Sequence, residues 1–310
     1  MLVCASSRAD ISGAAAIAFV YISRMNIGKV TISIDLELAW GNWDNLTPLH
    51  AHHAEHSDRK VVQRLLQLFD RYGIPVSWAF VAALLDNKEA TGKPGCERIW
   101  YAPDVIESIR TAQVRHELGS HGGRHRYFDA LTLEEAEEDV QYAREIHKRV
   151  GTPLHSFVFP RNKVAQTDVL LRCGIRVFRG VDHAWHQRIR DRSIVLGRAA
   201  NLIDKCLPIA PETVLAKGTG GLVNLPGSML FLGRGGIRSL AAPGAMTSKL
   251  RKGMDQAAAL RQTFHLWFHP SNFWHDTERQ FATFEIFLSE LREHITAGRL
   301  TAAPMGTYGR

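Results

Sequence analysis

From residue 29 onward, strand-like and helix-like segments take turns along the chain, and this alternation limits the fold more than any other feature. Short runs rich in β-branched or aromatic residues at 29–38, 74–81, 116–120, 154–159, 175–179, 222–226 and 264–269 read as strands. Amphipathic helices read between them. Residues 57–73 start at a Ser57/Asp58 cap, repeat apolar residues at helical spacing (Val61, Leu65, Leu68, Phe69) and stop at Gly73. Residues 132–151 open on a capping box, Thr132 with Glu135, and end on Gly151. A last helix over about 276–297 ends at Gly298 before a short strand. Strands separated by helices make parallel sheets, and some seven such units in one run favour a barrel over an open sheet.

The expectation is therefore an α/β barrel in one domain, residues 28–310, with an irregular insertion around 182–262, where Gly and Pro gather at 217–236 and 241–245. Residues 1–27 read as an N-terminal extension. Its apolar run, 11–23, is too short to span a bilayer comfortably, so no transmembrane segment is expected. A cytoplasmic protein is the reading, with export as the alternative if that run acts as a signal core. The 310 residues, 45% hydrophobic and 22% charged, have the balance of a soluble globular chain. A net charge of +7 favours anionic partners, but no Lys/Arg block or aromatic-basic interleaving points to nucleic acid. Cys4, Cys96, Cys173 and Cys206 are scattered, without a C-x-x-C pair, and read as reduced thiols.

Four stretches carry chemistry. In TISIDLELAW, residues 31–40, alternation sends Ile32, Ile34, Leu36 and Leu38 to one face and Asp35 and Glu37 to the other. The outer face of a barrel strand meets helices, so the acids point inward, with Cβ atoms roughly 6–7 Å apart at the end where barrel sites form. His121 and His125, in SHGGRH, have the spacing that lets two imidazoles meet one metal if the segment makes a single helical turn. Two imidazoles and a carboxylate suit zinc or another divalent ion, which makes Glu37 the third ligand and leaves Asp35 as a base. His269, at the end of LWFH and followed by Pro270, is placed as a general acid. Arg161, after the strand SFVFP, has the charge to keep a base carboxylate ionised. HAHHAEH, residues 50–56, reads as a solvated loop at the barrel mouth, with His50 or His53 in reach of a substrate and Trp40 and Trp43 nearby.

In this order the stretches resemble the polysaccharide deacetylase family, also called the NodB homology domain or carbohydrate esterase family 4. The resemblance runs over about 28–180 and returns at 264–302, on SIDLELAWG, LGSHGGRHRYFDALTLEEA, SFVFPRN with LLRCGIRVFRG, and LWFHPSNF. It implies a distorted (β/α)7-type barrel and metal-dependent removal of an acetyl group from an N-acetylated sugar, polymeric or phosphate- or lipid-linked. The metal would be zinc, with cobalt or nickel as alternatives. The family's adjacent acid pair is absent, since Leu36 stands at the second position, and strand geometry favours the Asp-x-Glu arrangement instead. The resemblance implies Asp35 as base, Glu37, His121 and His125 as metal ligands, Arg161 as the arginine that orients the base, His269 as the acid and Asp182 as its orienting aspartate. Two alternatives remain: a related amidohydrolase acting on a cyclic ureide or formyl amide, in the manner of allantoinases or deformylases, and a non-catalytic carbohydrate-binding relative.

Overall fold

The computed structural model describes residues 27–182, 207–236 and 244–309, together with 196 and 204. Most of the expected extension, with its apolar run at 11–23, and Cys4 and Cys206 lie outside these residues. Among the described residues ten strands form one sheet. They are β1 (Gly28–Leu36), β2 (Ser77–Phe80), β3 (Glu117–Ser120), β4 (Ser156–Val158), β5 (Val177–Gly180), β6 (Lys217–Thr219), β7 (Leu222–Pro226), β8 (Met229–Leu230), β9 (Thr263–Phe268) and β10 (Leu300–Ala302).

Strands β1 to β5 lie side by side in chain order, all parallel, and β9 pairs with the other side of β1. One stretch of chain closes the ring, because β7 pairs with β5 while its continuation, β8, pairs with β9. Counting β7 and β8 as one broken stave, the barrel has seven staves, as the run of β/α units implied. The break falls at Pro226 and Gly227, where proline has no N–H to continue the ladder. The stretch read as an insertion thus also holds a barrel stave and the helix Ala245–Leu260. The short β6 adds a hairpin to β7, and β10 pairs with the start of β1.

Helices cover the outside. Ile32, Ile34 and Leu36 of β1 are at most 1% exposed and share a core with Leu65 and Phe69 of helix Asp58–Tyr72 and Phe284 and Leu288 of helix Thr277–Thr296. Each side chain of this size contributes roughly 1.5–3 kcal/mol on leaving water. The inward residues of β1 are Thr31, Ser33 and Asp35, equally buried but polar, so each needs a partner inside the barrel. Thr31 finds one at the lower end, donating to Ala303 O at 2.8 Å.

HAHHAEH is not a loop. It lies in a helix, Pro48–His56, whose N-cap Thr47 accepts from the His50 N–H and whose first residue is Pro48. Thr-Pro is a helix start that four histidines in a row of seven residues obscure, since they give no apolar stripe.

Candidate active site

Asp35 sits near the C-terminal end of β1 and Glu37 just beyond it, both on the barrel's inner side, while Leu36 packs outward in the core. After Glu37 the chain turns sharply, with Leu38 at φ 48°, into a short 3-10 turn, Leu38–Asn42. Gly41 makes room for the acid, since a Cβ there would lie 1.9 Å from Glu37 Oε2.

His121 and His125 meet at Glu37 without a helical turn. The backbone between them is a loop, with Gly122 at φ 82° and His125 at φ 56°. The expected helix yields because Asp139, on helix Leu133–Arg149, captures the loop by accepting from the Gly123 and Arg124 N–H groups at 2.6 and 3.1 Å. Glycine is required there, as a Cβ at Gly123 would meet Asp139 O at 2.6 Å. Burial raises the Asp139 carboxyl, with the two N–H bonds offsetting part of that rise.

Glu37 Oε1 lies 2.8 Å from His121 Nε2 and 3.1 Å from His125 Nε2. His121 Nδ1 is 2.8 Å from Val158 O, and because a carbonyl only accepts, that nitrogen carries the ring's proton. In a neutral His121, Nε2 is then a lone pair facing a carboxylate oxygen, an arrangement that calls for a cation between them. Burial pushes the His125 imidazole down, Glu37 opposing, which favours the neutral form that ligates metals. The three ligand atoms lie within 4.8 Å of one another, so this donor set fits a divalent ion.

On the other side of the same pocket, Asp35 is 2% exposed and gripped by Arg179, whose Nη1 and Nη2 donate to its two carboxylate oxygens at 2.7 and 2.6 Å. Burial alone would raise the Asp35 carboxyl, but Arg179, with His121 and His269, outweighs it and holds the acid below its usual value. Glu37 is likewise raised by burial and then pulled well below the usual range by His269, His125 and His121. His269 Nε2 stands 3.6 Å from Asp35 and 3.4 Å from Glu37. Burial lowers its pKa, yet the Glu37 and Asp35 carboxylates prevail and raise it to about 9, so it is an imidazolium at neutral pH in the metal-free protein.

Two expected residues stand elsewhere. Arg161 does not orient Asp35. Pro160 starts a 3-10 turn in which Arg161 has φ 56°, and its Nη2 donates to Gly41 O at 2.8 Å on the pocket rim. Arg179 takes the orienting place because it follows two strand residues in VFRG and alternation aims it inward. An arginine in an otherwise apolar strand was the available signal. Asp182 accepts from the Trp267 indole N–H at 2.9 Å, whereas the carboxylates beside His269 are Asp35 and Glu37. Trp267 lies in turn under the Arg179 guanidinium, 4.4 Å from ring centre to Cζ.

The pocket, about 330 Å³, is lined by Asp35, Glu37, His269, Arg161, His50 and Trp274 among others. Trp274 is held by buried Asp58, which accepts its indole N–H at 2.6 Å, and is stacked by His53 at 4.5 Å. Burial raises Asp58 to about 7, the Trp274 bond offsetting part of the rise. Of the two tryptophans expected at the mouth, Trp40 is buried, and Trp43 is 42% exposed and donates to His125 O.

Residues 50–177 match the family described as Polysaccharide deacetylase. No curated protein sequence matches. Among solved structures, a protein assigned as a polysaccharide deacetylase from Mycobacterium smegmatis is similar over 92% of this chain and 90% of its own, with 16% identity and a TM-score of 0.64. A second, from Pseudomonas aeruginosa PAO1, covers 91% and 90% at 14% identity, with a TM-score of 0.58. Puue allantoinase covers 91% and 90% at 14% identity, with a TM-score of 0.59. At these identities the structures share the fold.

Proposed function

We propose that this chain, whose residues 50–177 match the polysaccharide deacetylase family of hydrolases acting on carbon–nitrogen bonds, removes the acetyl group from an N-acetylated amino sugar, with Asp35 and His269 moving the protons. The observation that carries this reading is the meeting, in one pocket, of the arginine-held Asp35 carboxylate and the His269 imidazole beside Glu37. Glu37, His121 and His125 would hold a divalent ion, zinc foremost. When bound, such an ion supplies Lewis-acid polarisation of the amide carbonyl and acidifies water.

The chain's own groups divide the remaining work. Asp35, kept ionised by Arg179, takes a proton from the attacking water as its oxygen bonds to the acetyl carbon. His269, as imidazolium, gives its Nε2 proton to the sugar nitrogen as the carbon–nitrogen bond breaks. Acetate and a free amino sugar leave. The experiment is acetate release from N-acetylated amino-sugar oligomers and phosphate-linked N-acetyl sugars, with zinc, cobalt or nickel supplied. Release is expected. Its absence across these substrates would reject the reading, and turnover of a cyclic ureide or a formamide instead would favour the related amidohydrolase class.

Arg161 supports an anionic substituent on the substrate. It lines the pocket and donates to Gly41 O, and its charge, which helps to lower the nearby Asp44 carboxyl, is paired with no carboxylate within 4.0 Å among the described residues. Its positive φ, with Asn162 at φ 54°, is a strained arrangement that aims the side chain at the rim. Arg161→Ala is expected to raise KM about tenfold on a phosphate-bearing N-acetyl sugar, a loss within the range of one charge-assisted hydrogen bond, and to leave KM on a neutral one unchanged. Steady-state kinetics on the two substrates checks it.

A further inference from the structure

Behind Asp35 lies a layer of polar side chains that the reaction above does not use. Ser33 and His265, on the adjacent strands β1 and β9, are both 0% exposed. His265 Nδ1 is 3.0 Å from Pro226 O, and Nε2 is 2.9 Å from Ser33 Oγ. The carbonyl only accepts, so Nδ1 bears the proton. Burial, with Arg179 adding to it, lowers the ring's pKa to about 3, so His265 is neutral and Nε2 is a lone pair. The Ser33 hydroxyl must then donate to Nε2. That fixes its rotor and leaves an oxygen lone pair for Arg179 Nη1, which donates to it at 3.1 Å.

Arg179 thus has three acceptors around its fork: Asp35, Ser33 Oγ on Nη1 and Asn162 Oδ1 on Nη2 at 2.9 Å. Asp35 alone would let the guanidinium pivot about the pair. A second acceptor on each nitrogen stops the pivot. The His265 backbone N–H donates to Ser228 Oγ at 3.0 Å, so the start of this chain of bonds is itself anchored, across the joint where the broken stave closes the barrel.

We propose that Ser33 and His265 are positioning residues for the base: the directed bonds from His265 to Pro226 O, from Ser33 to His265 and from Arg179 to Ser33 set the angle at which the Arg179 fork presents Asp35 to the pocket. The proposal rests on the reading of Asp35 as the base, and neither residue touches substrate.

The test compares Ser33→Ala, Ser33→Thr and His265→Gln in the full chain, by steady-state kinetics with zinc supplied and by nuclear magnetic resonance of protein with 15N-labelled arginine. The Arg179 Nη–H signals are identified by their loss in Arg179→Lys. Ser33→Ala should lower kcat about tenfold with KM within a factor of two, because the misplacement affects the reacting geometry and not binding. Ser33→Thr, which keeps the hydroxyl, should recover most of kcat. The Arg179 signals, separate and slowly exchanging in the parent, should average in Ser33→Ala and in His265→Gln. Should Ser33→Ala fail to fold, His265→Gln carries the same expectation. Wild-type kcat with unchanged Arg179 signals in the variants that fold would overturn the proposal. Equal losses in Ser33→Ala and Ser33→Thr would also overturn it, since that marks packing alone. If the parent releases no acetate while the Arg179 signals respond as stated, the functional reading fails and the positioning of Arg179 stands.

Discussion

Asp35→Asn is expected to lower kcat about 10²- to 10⁴-fold, the range general base catalysis supplies, with little change in KM. The amide has the same shape but cannot take a proton, so the loss falls on the chemical step. One Arg179 nitrogen would still find the amide oxygen, and the other would face an NH₂ group instead of a carboxylate oxygen. Glu37, His121 and His125 lie outside this change, so metal content should match the parent. Acetate-release kinetics, with bound metal measured on the same sample, checks the expectation.

Arg179→Met should have the largest effect on stability. The substitution removes the bidentate partner of Asp35, 2% exposed, and leaves only His269, at 3.6 Å, beside its buried charge; breaking such a pair costs about 3–5 kcal/mol. The pH dependence fixes the cause. In the parent, Arg179 holds the Asp35 pKa below its unfolded value, a contribution present above the unfolded pKa and lost as pH falls through the folded one. In the variant burial acts with less opposition, the Asp35 pKa rises, and the carboxyl is neutral over more of the acid range. The gap in urea stability between parent and Arg179→Met should therefore be widest near neutral pH and narrow as the pH falls below the usual carboxylate range. A gap that is the same throughout would assign the loss to packing.

The residues that reached the sequence reading are those whose side chains obey a local period. Alternation along TISIDLELAW is enough to put Asp35 and Glu37 on one face and Leu36 on the other, and both acids lie inside the barrel as that alternation requires. Spacing brought His121 and His125 to one point, but through a loop whose shape depends on Asp139, sixteen positions beyond Gly123. No local pattern reports such a capture. Arg161 and Arg179 show both sides of this: alternation within VFRG aims Arg179 at Asp35, a local signal, whereas the turn at Pro160 that takes Arg161 away to the rim has no such period. The sixth stave was half legible, as 222–226, and its second half is too short to show a period. Helix Pro48–His56 was obscured by its own histidines, two of which, His50 and His53, line the pocket or lie against Trp274 and its neighbour His275.

Equilibrium dialysis of the metal-stripped protein against zinc, with bound metal counted by mass spectrometry, asks most directly whether Glu37, His121 and His125 form one metal site beside Asp35. One ion per chain is expected, lost in the double variant His121→Ala/His125→Ala, weakened about 10- to 100-fold or more in Glu37→Gln, and unchanged in Asp35→Asn. No bound ion in the parent, or one whose binding survives the double histidine substitution, would contradict it.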